Sequence, residues 1–230
     1  MESVSEEKDL GVWIEDDMKP TKQCKMAAQN ANWALGQLIR TFHYRKASCL
    51  VPLYKSFVRP KLEHAVGAWS PWLEGRKEVL ERVQKRLIRN ISDKRGETYE
   101  QRLQSVGLTT PEERRERGDL IEAFKTINGY NKVEKTTWFD FRNATNTRAT
   151  RSIVVVSGDG QQQERSDVLY MGNVRLESRK NFFTVRVIAK WNQIPDAVKG
   201  QKTINAFKNS YDDWKEAEKR QQQQQQQQQP

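Results

Sequence analysis

The chain has 230 residues, with 40 basic against 30 acidic and a net charge of +10. That length holds one large domain or two small ones around a real core, and the excess of cation favours a polyanionic partner through counterion release. Cys24 and Cys49 are too few for a disulfide framework, no basic-then-apolar leader opens the sequence, and no apolar run approaches the roughly 18 residues of a membrane helix. The expectation is an intracellular protein of a reducing compartment, nuclear or cytoplasmic, with no cofactor and no membrane partner.

In chain order, residues 1–8 are polar and acidic, and residues 10–14, with Trp13, read as a strand ended by Glu15-Asp16-Asp17. Pro20 suits a first helical turn, and behind it Cys24, Ala28, Ala31, Leu35, Leu38 and Phe42 step by three and four along one helix face. A second helix is predicted over 46–58 through Leu50, Leu53, Tyr54 and Phe57. Arg59-Pro60 breaks or kinks it, 61–69 resumes it and Ser70-Pro71 ends it. In residues 74–91, Val79, Val83, Leu87 and Ile91 recur every fourth position, with Arg82, Arg86 and Arg89 on a neighbouring face. Such stripes are buried only by packing the helices on one another.

A shorter helical unit spans 96–107 around Tyr99, Leu103 and Val106. Thr110 then caps a helix that opens with Pro111, Glu112 and Glu113, runs through Leu120, Ile121, Phe124 and Ile127, and stops near Gly129. Periodicity fades over 130–175, where 153–156 suggests a strand and 157–160 its turn, followed by a polar loop at 161–163. Helical spacing returns over 179–191 with Phe182, Phe183, Val187 and Trp191, and Ile194-Pro195 ends it. Thr203 caps a last helix bearing Phe207, Tyr211 and Trp214. The run Gln221 to Gln229 offers nothing apolar to bury and reads as a disordered, aggregation-prone tail.

Several segments, in their order, carry a resemblance. They are Lys8-Asp9-Leu10-Gly11-Val12, the stretch from Leu53 to Glu63, Trp69-Ser70-Pro71, Leu80-Glu81-Arg82-Val83-Gln84-Lys85-Arg86, Arg117 to Phe124, Asn181-Phe182-Phe183 and Trp191-Asn192-Gln193-Ile194-Pro195. Over residues 4–214 the chain resembles the region after the catalytic palm in reverse transcriptases of non-long-terminal-repeat retrotransposons, chicken-repeat-type long interspersed elements above all. The resemblance implies a mainly α fold. It would comprise a primer-grip hairpin remnant (1–19) with Leu10, Gly11 and Val12 as its grip-like residues, a thumb-like helical bundle (20–128), a loop-rich mixed C-terminal region (129–219) and a disordered glutamine tail (220–230). It implies a non-catalytic fragment of an RNA-directed DNA polymerase that helps grip the template–primer, with fingers and palm supplied upstream. Met1 falls where such proteins carry interior residues, so a truncated copy or partial gene model is expected.

The best binding candidate is the basic helix. Arg76, Lys77, Arg82, Lys85, Arg86 and Arg89, followed by Lys94 and Arg95, stand against Glu74, Glu78, Glu81 and Asp93. Arg82, Arg86 and Arg89 suit phosphates along an RNA or DNA duplex without reading sequence; the plainer reading is a solvated face of pairs such as Glu78–Arg82. Arg148, Arg151, Arg175, Arg179 and Lys180 form a second basic region, whereas Arg114, Arg115 and Arg117 alternate with glutamates as a solvated face would.

Asp16-Asp17 is not a polymerase metal pair: Ile14 stands where the reverse-transcriptase motif has an aromatic, and the pair follows the Leu-Gly-Val run. Cys24, His43, Cys49 and His64, separated by 18, 5 and 14 residues, miss the close pairing of structural zinc sites. No catalytic triad and no phosphate loop stands out. The seven tryptophans sit mostly at helical core spacing; Trp13, without a palm, would be left exposed. Two other readings stay open. One is a helical protein-interaction or scaffold module docking through residues 10–14 and the first helix. The other is a polymerase completed by a palm on another chain.

Overall fold

The computed structural model describes residues 4–92, 96, 98–141 and 168–227. The strand expected at 153–156, its turn at 157–160, the polar loop at 161–163, and Asp93, Lys94, Arg95, Arg148 and Arg151 lie outside them. The protein is mainly α-helical, with two small two-stranded sheets among the described residues. It divides into two compact units, Met1–Gly118 and Asp119–Pro230, and the division falls inside a helix that the sequence reading assigned whole to the N-terminal bundle.

The N-terminal unit begins with an antiparallel hairpin, β1 (Glu6–Asp9) and β2 (Val12–Glu15), in register Asp9↔Val12 and Lys8↔Trp13. The sequence had suggested a strand from Leu10. Instead Leu10 (φ 45) and Gly11 (φ 87) are both left-handed, the geometry of a two-residue type I′ turn whose twist matches the strands. Helix α1 (Thr21–Thr41) buries Cys24, Ala27, Ala28, Ala31, Ala34 and Leu35. Phe42, predicted on that face, is extended past the helix end and 37% exposed.

Helix α2 (Ala47–Leu53) passes into a π-helical turn, Tyr54–Val58, and then α3 (Arg59–Glu63). Pro60 has no N–H, and its ring would strike the carbonyl four residues back. The widened turn, closed by Arg59 N–H on Tyr54 O, relieves this without ending the helix. The helix predicted over 61–69 is interrupted where Ala65 turns left-handed (φ 50), and α4 (Val66–Trp69) follows. The buried Trp69 indole donates to His64 O at 2.8 Å and holds that corner.

Helix α5 (Glu74–Asn90) lies along α1 and buries Leu80, Val83, Gln84, Leu87 and Ile88. Its Gln84 accepts from Tyr54 Oη (3.0 Å) and donates to Thr109 O (2.9 Å), so the two buried side chains both find partners. Helix α6 (Tyr99–Ser105) starts with a capping box between Thr98 and Gln101. Helix α7 (Pro111–Ile127) starts with a second box, in which Thr110 and Glu113 each accept from the other's backbone N–H.

The C-terminal unit is built on the second half of α7. Short α8 (Lys135–Trp138) leads to β3 (Asp140–Phe141), which pairs with β4 (Leu169–Tyr170). Then come α9 (Glu177–Lys180), α10 (Phe183–Gln193), α11 (Asp196–Lys199) and α12 (Ile204–Gln227). The core joins Phe124, Trp191, Phe207 and Tyr211, with the Phe124 and Phe207 rings stacked 4.3 Å apart. Asn192 behaves as a strand neighbour: its side chain accepts from Leu169 N (3.0 Å) and donates to Leu169 O (2.9 Å). Arg186 clamps Asp119 through two bonds of 2.8 and 2.9 Å. Helix α12 continues into the glutamine run as far as Gln227, where the sequence predicts disorder. Glutamine is a fair helix former, and a helix already nucleated extends at little cost.

Candidate nucleic-acid interface

The six basic residues singled out on α5 divide by what they touch. Arg76 Nε donates to Thr21 Oγ1 (3.2 Å) at the start of α1. Lys77 bonds Glu74 and Glu112, each at 2.7 Å; burial works against its ammonium, but the two carboxylates outweigh this and raise its pKa. Arg86 Nη1 donates to Asn32 O (3.3 Å) and Asn32 Oδ1 (3.2 Å), so it stitches α5 to α1. Lys85 sits 3.2 Å from Glu78 and 5.6 Å from the Tyr99 ring centroid, and its bond is the main cause that lowers the Glu78 carboxyl. Arg82, with a 3.5 Å contact to Glu78, and Arg89 are exposed. The continuous arginine face read from spacing is therefore two exposed arginines with a structural one between them.

That structural arginine adds a second row. Lys25, Gln29, Asn32, Gly36 and Arg40 succeed one another at steps of three and four along one side of α1. Arg86 lies against this side, with its Nη2 3.7 Å from where a Cβ on Gly36 would sit. Lys25, Arg40, Arg82 and Arg89 are exposed, and Trp33, beside Asn32, is 66% exposed. Sequence reasoning missed Lys25, Arg40 and Trp33, because α1 was read for its apolar stripe and the tryptophans were read mostly as core. The signal was present as the same step of three and four on the opposite face. Exposed cations on two packed helices suit backbone phosphates, and an exposed indole on one of them offers a ring face for stacking.

The remaining candidates are scattered. Leu10 and Gly11 form the hairpin tip, whereas Val12 is buried. Trp13 is half-buried rather than exposed: Lys22 Nζ sits 3.5 Å from its ring centroid, and its backbone N–H donates to Gln23 Oε1 at 3.0 Å. Asp16 and Asp17 are exposed, and Asp17 accepts from the Lys19 ammonium and then from Lys19 N (both 2.9 Å), which lower its carboxyl in that order. Cys24 is buried, and that burial pushes its thiol up to about 12. His43 and His64 are exposed, and among the described residues no three His, Cys, Asp or Glu side chains gather as a metal site would require.

The solvated face expected at Arg114, Arg115 and Arg117 is not one. Arg115 is 5% exposed, and Arg114 grips both oxygens of Glu63 at 2.5 and 2.9 Å. Of the second basic region, Arg175, Arg179 and Lys180 are exposed; Arg179 lies 5.1 Å from the Phe182 ring and Lys180 pairs with Glu177. Among the described residues no helix is long and apolar enough to cross a membrane. No family model matches the sequence, and neither a curated protein nor a solved structure matches it.

Proposed function

We propose that the chain is a non-catalytic, thumb-like piece of a retrotransposon RNA-directed DNA polymerase, and that it grips an RNA or DNA duplex without sequence preference. The observation that carries the grip is the exposed surface of α1 and α5, where Lys25, Trp33, Arg40, Arg82 and Arg89 are all exposed and the Arg86–Asn32 bonds hold the two helices together. Four mobile cations on a rigid pair of helices neutralise backbone phosphates and leave base edges unread. The parentage rests on the motif resemblance alone. In that reading the hairpin tip at Leu10 and Gly11 faces the primer end, and the chemistry belongs to a palm that this chain does not supply.

The test is fluorescence anisotropy with a labelled RNA–DNA hybrid and two unrelated DNA duplexes. Arg82→Ala and Arg89→Ala should each weaken all three by a similar factor, because phosphate contacts carry no sequence information. Unchanged binding by both variants would remove the grip. Primer extension by this chain alone would contradict the non-catalytic assignment.

One observation favours a second reading, a protein-interaction module. Leu10, Ile14 and Met18 are 89%, 44% and 61% exposed within a single hairpin and its following turn. Under that reading duplex affinity is negligible at physiological salt, and replacing these three residues by serine abolishes capture of a protein partner.

A further inference from the structure

Between the π-helical turn and the start of α7 lies a recess of about 460 Å³, lined by Lys55, Arg59, Pro60, Glu63, His64 and Arg114. Three permanent cations there face a single carboxylate. That carboxylate is already committed, since both Glu63 oxygens accept from Arg114. Arg59 is left over: its Nε is fully shielded by protein and has no hydrogen-bond partner among the described residues. A buried, charged N–H donor without an acceptor is costly and calls for an explanation. Its charge is supported by the nearby Glu63 carboxylate, which Arg114 already holds, and by the Tyr54 ring, 5.7 Å from the guanidinium carbon. Burial, then the neighbouring Arg114, lowers the pKa of this guanidinium, the mark of a positive charge short of counter-charge.

The local fold explains why Arg59 is held in this place. The π turn that accommodates Pro60 anchors Tyr54 inward at 1% exposure and ties the Arg59 N–H to Tyr54 O. Lys55, the residue after Tyr54, is exposed and makes no hydrogen bond or ion pair among the described residues. His64 closes the rim, its Nε2 3.5 Å from Leu10 O at the hairpin tip.

We propose that this recess is a phosphate-binding site, in which a phosphate group accepts from the terminal N–H groups of the Arg59 guanidinium and pairs with the Lys55 ammonium, while Arg114 remains on Glu63. A phosphate supplies several acceptor oxygens and the missing negative charge at once. The inference does not rest on the duplex grip, since it concerns other residues and its deciding titration uses inorganic phosphate alone.

The experiment is isothermal titration of the full chain with inorganic phosphate at constant ionic strength, chloride replacing phosphate in the blank. Wild type should bind one phosphate. Arg59→Lys, which keeps the charge but loses the forked guanidinium donors, and Lys55→Met, which alters an exposed side chain, should each raise Kd on the order of tenfold, as loss of one charge-assisted bond implies. No binding by wild type, or equal Kd in all three proteins, overturns the site. The same recess serves a free phosphate or the phosphate end of a nucleic acid strand. Tighter binding of a 5′-phosphorylated oligonucleotide than of its 5′-hydroxyl form, with inorganic phosphate abolishing the difference, assigns the strand end. Phosphate binding with no such difference assigns a free phosphate or small phosphate ester.

Discussion

Removing the Asp119 carboxylate strips the C-terminal unit of its main buried ion pair. In the folded protein Arg186 Nε and Nη2 reach the two Asp119 oxygens at 2.8 and 2.9 Å, and the side chains are only 17% and 11% exposed. Asp119→Ala leaves the guanidinium in place, still donating to Asn181 O at 2.9 Å, but without the Asp119 carboxylate. Breaking one side of a buried pair costs about 3–5 kcal/mol, and the slight exposure of both partners sets the expectation at the lower end, about 3 kcal/mol. At roughly 2–4 °C per kcal/mol, the thermal midpoint should fall by about 6–12 °C. Far-UV circular dichroism and tryptophan fluorescence, which reports on the buried Trp191, are the assays. The double variant Asp119→Ala/Arg186→Met should recover part of the loss, because the guanidinium that lost the Asp119 carboxylate is gone as well. A single variant melting within about 1 °C of wild type, or a double variant less stable than the single, would refute the reasoning.

Leu10 sits at φ 45 with 89% of its surface exposed, so it bears left-handed strain without packing in return. Leu10→Asn, which creates the Asn-Gly pair preferred in type I′ turns, should stabilise the hairpin by about 1 kcal/mol; slower hydrogen exchange of the β1–β2 amides reads it, and faster exchange contradicts it. Native protein at neutral pH should expose one of its two thiols to a disulfide reagent: Cys49 reacts, whereas Cys24 reacts only on unfolding. Because burial holds the Cys24 thiol at about 12 against an ordinary 9.0, the unfolded chain loses this proton first as pH rises. Stability contributed by the neutral thiol is therefore full below pH 9.0 and declines above it. Urea midpoints on either side of that pH should show the decline, and Cys24→Ala should make it shallower.

The parts of the fold legible in the sequence are those fixed by local chemistry. Thr110, Pro111 and Glu113 announce the start of α7, and the capping bonds form as that pattern requires. The stripe of Val83, Leu87 and Ile91 is buried. What escaped depends on partners far along the chain. Nothing near Arg114 or Arg115 says that one will clamp Glu63, 51 residues earlier, and that the other will be buried. Alternation with glutamates looked like a solvated face because ion pairing at a distance leaves no periodic trace. Likewise Arg86 has the spacing of a phosphate ligand, but its bonds to Asn32 give it a structural task. The tryptophans were read mostly as core from their helical spacing, yet α1 buries small alanines and leaves the Trp33 indole outside. The kink at Pro60 was readable; its resolution as a π turn, and the unpartnered Arg59 beside it, needed three dimensions.

The central claim is that α1 and α5 together neutralise backbone phosphates. The most direct measurement is the salt dependence of duplex DNA affinity for wild type and for the triple variant Arg40→Ala/Arg82→Ala/Arg89→Ala. Each phosphate contact contributes about 0.9 to the slope of log K against log salt, so loss of three should make it shallower by about 2.7. That result, with the same change on unrelated sequences, is what the account predicts. An unchanged slope, or wild-type binding with no salt dependence, would contradict it.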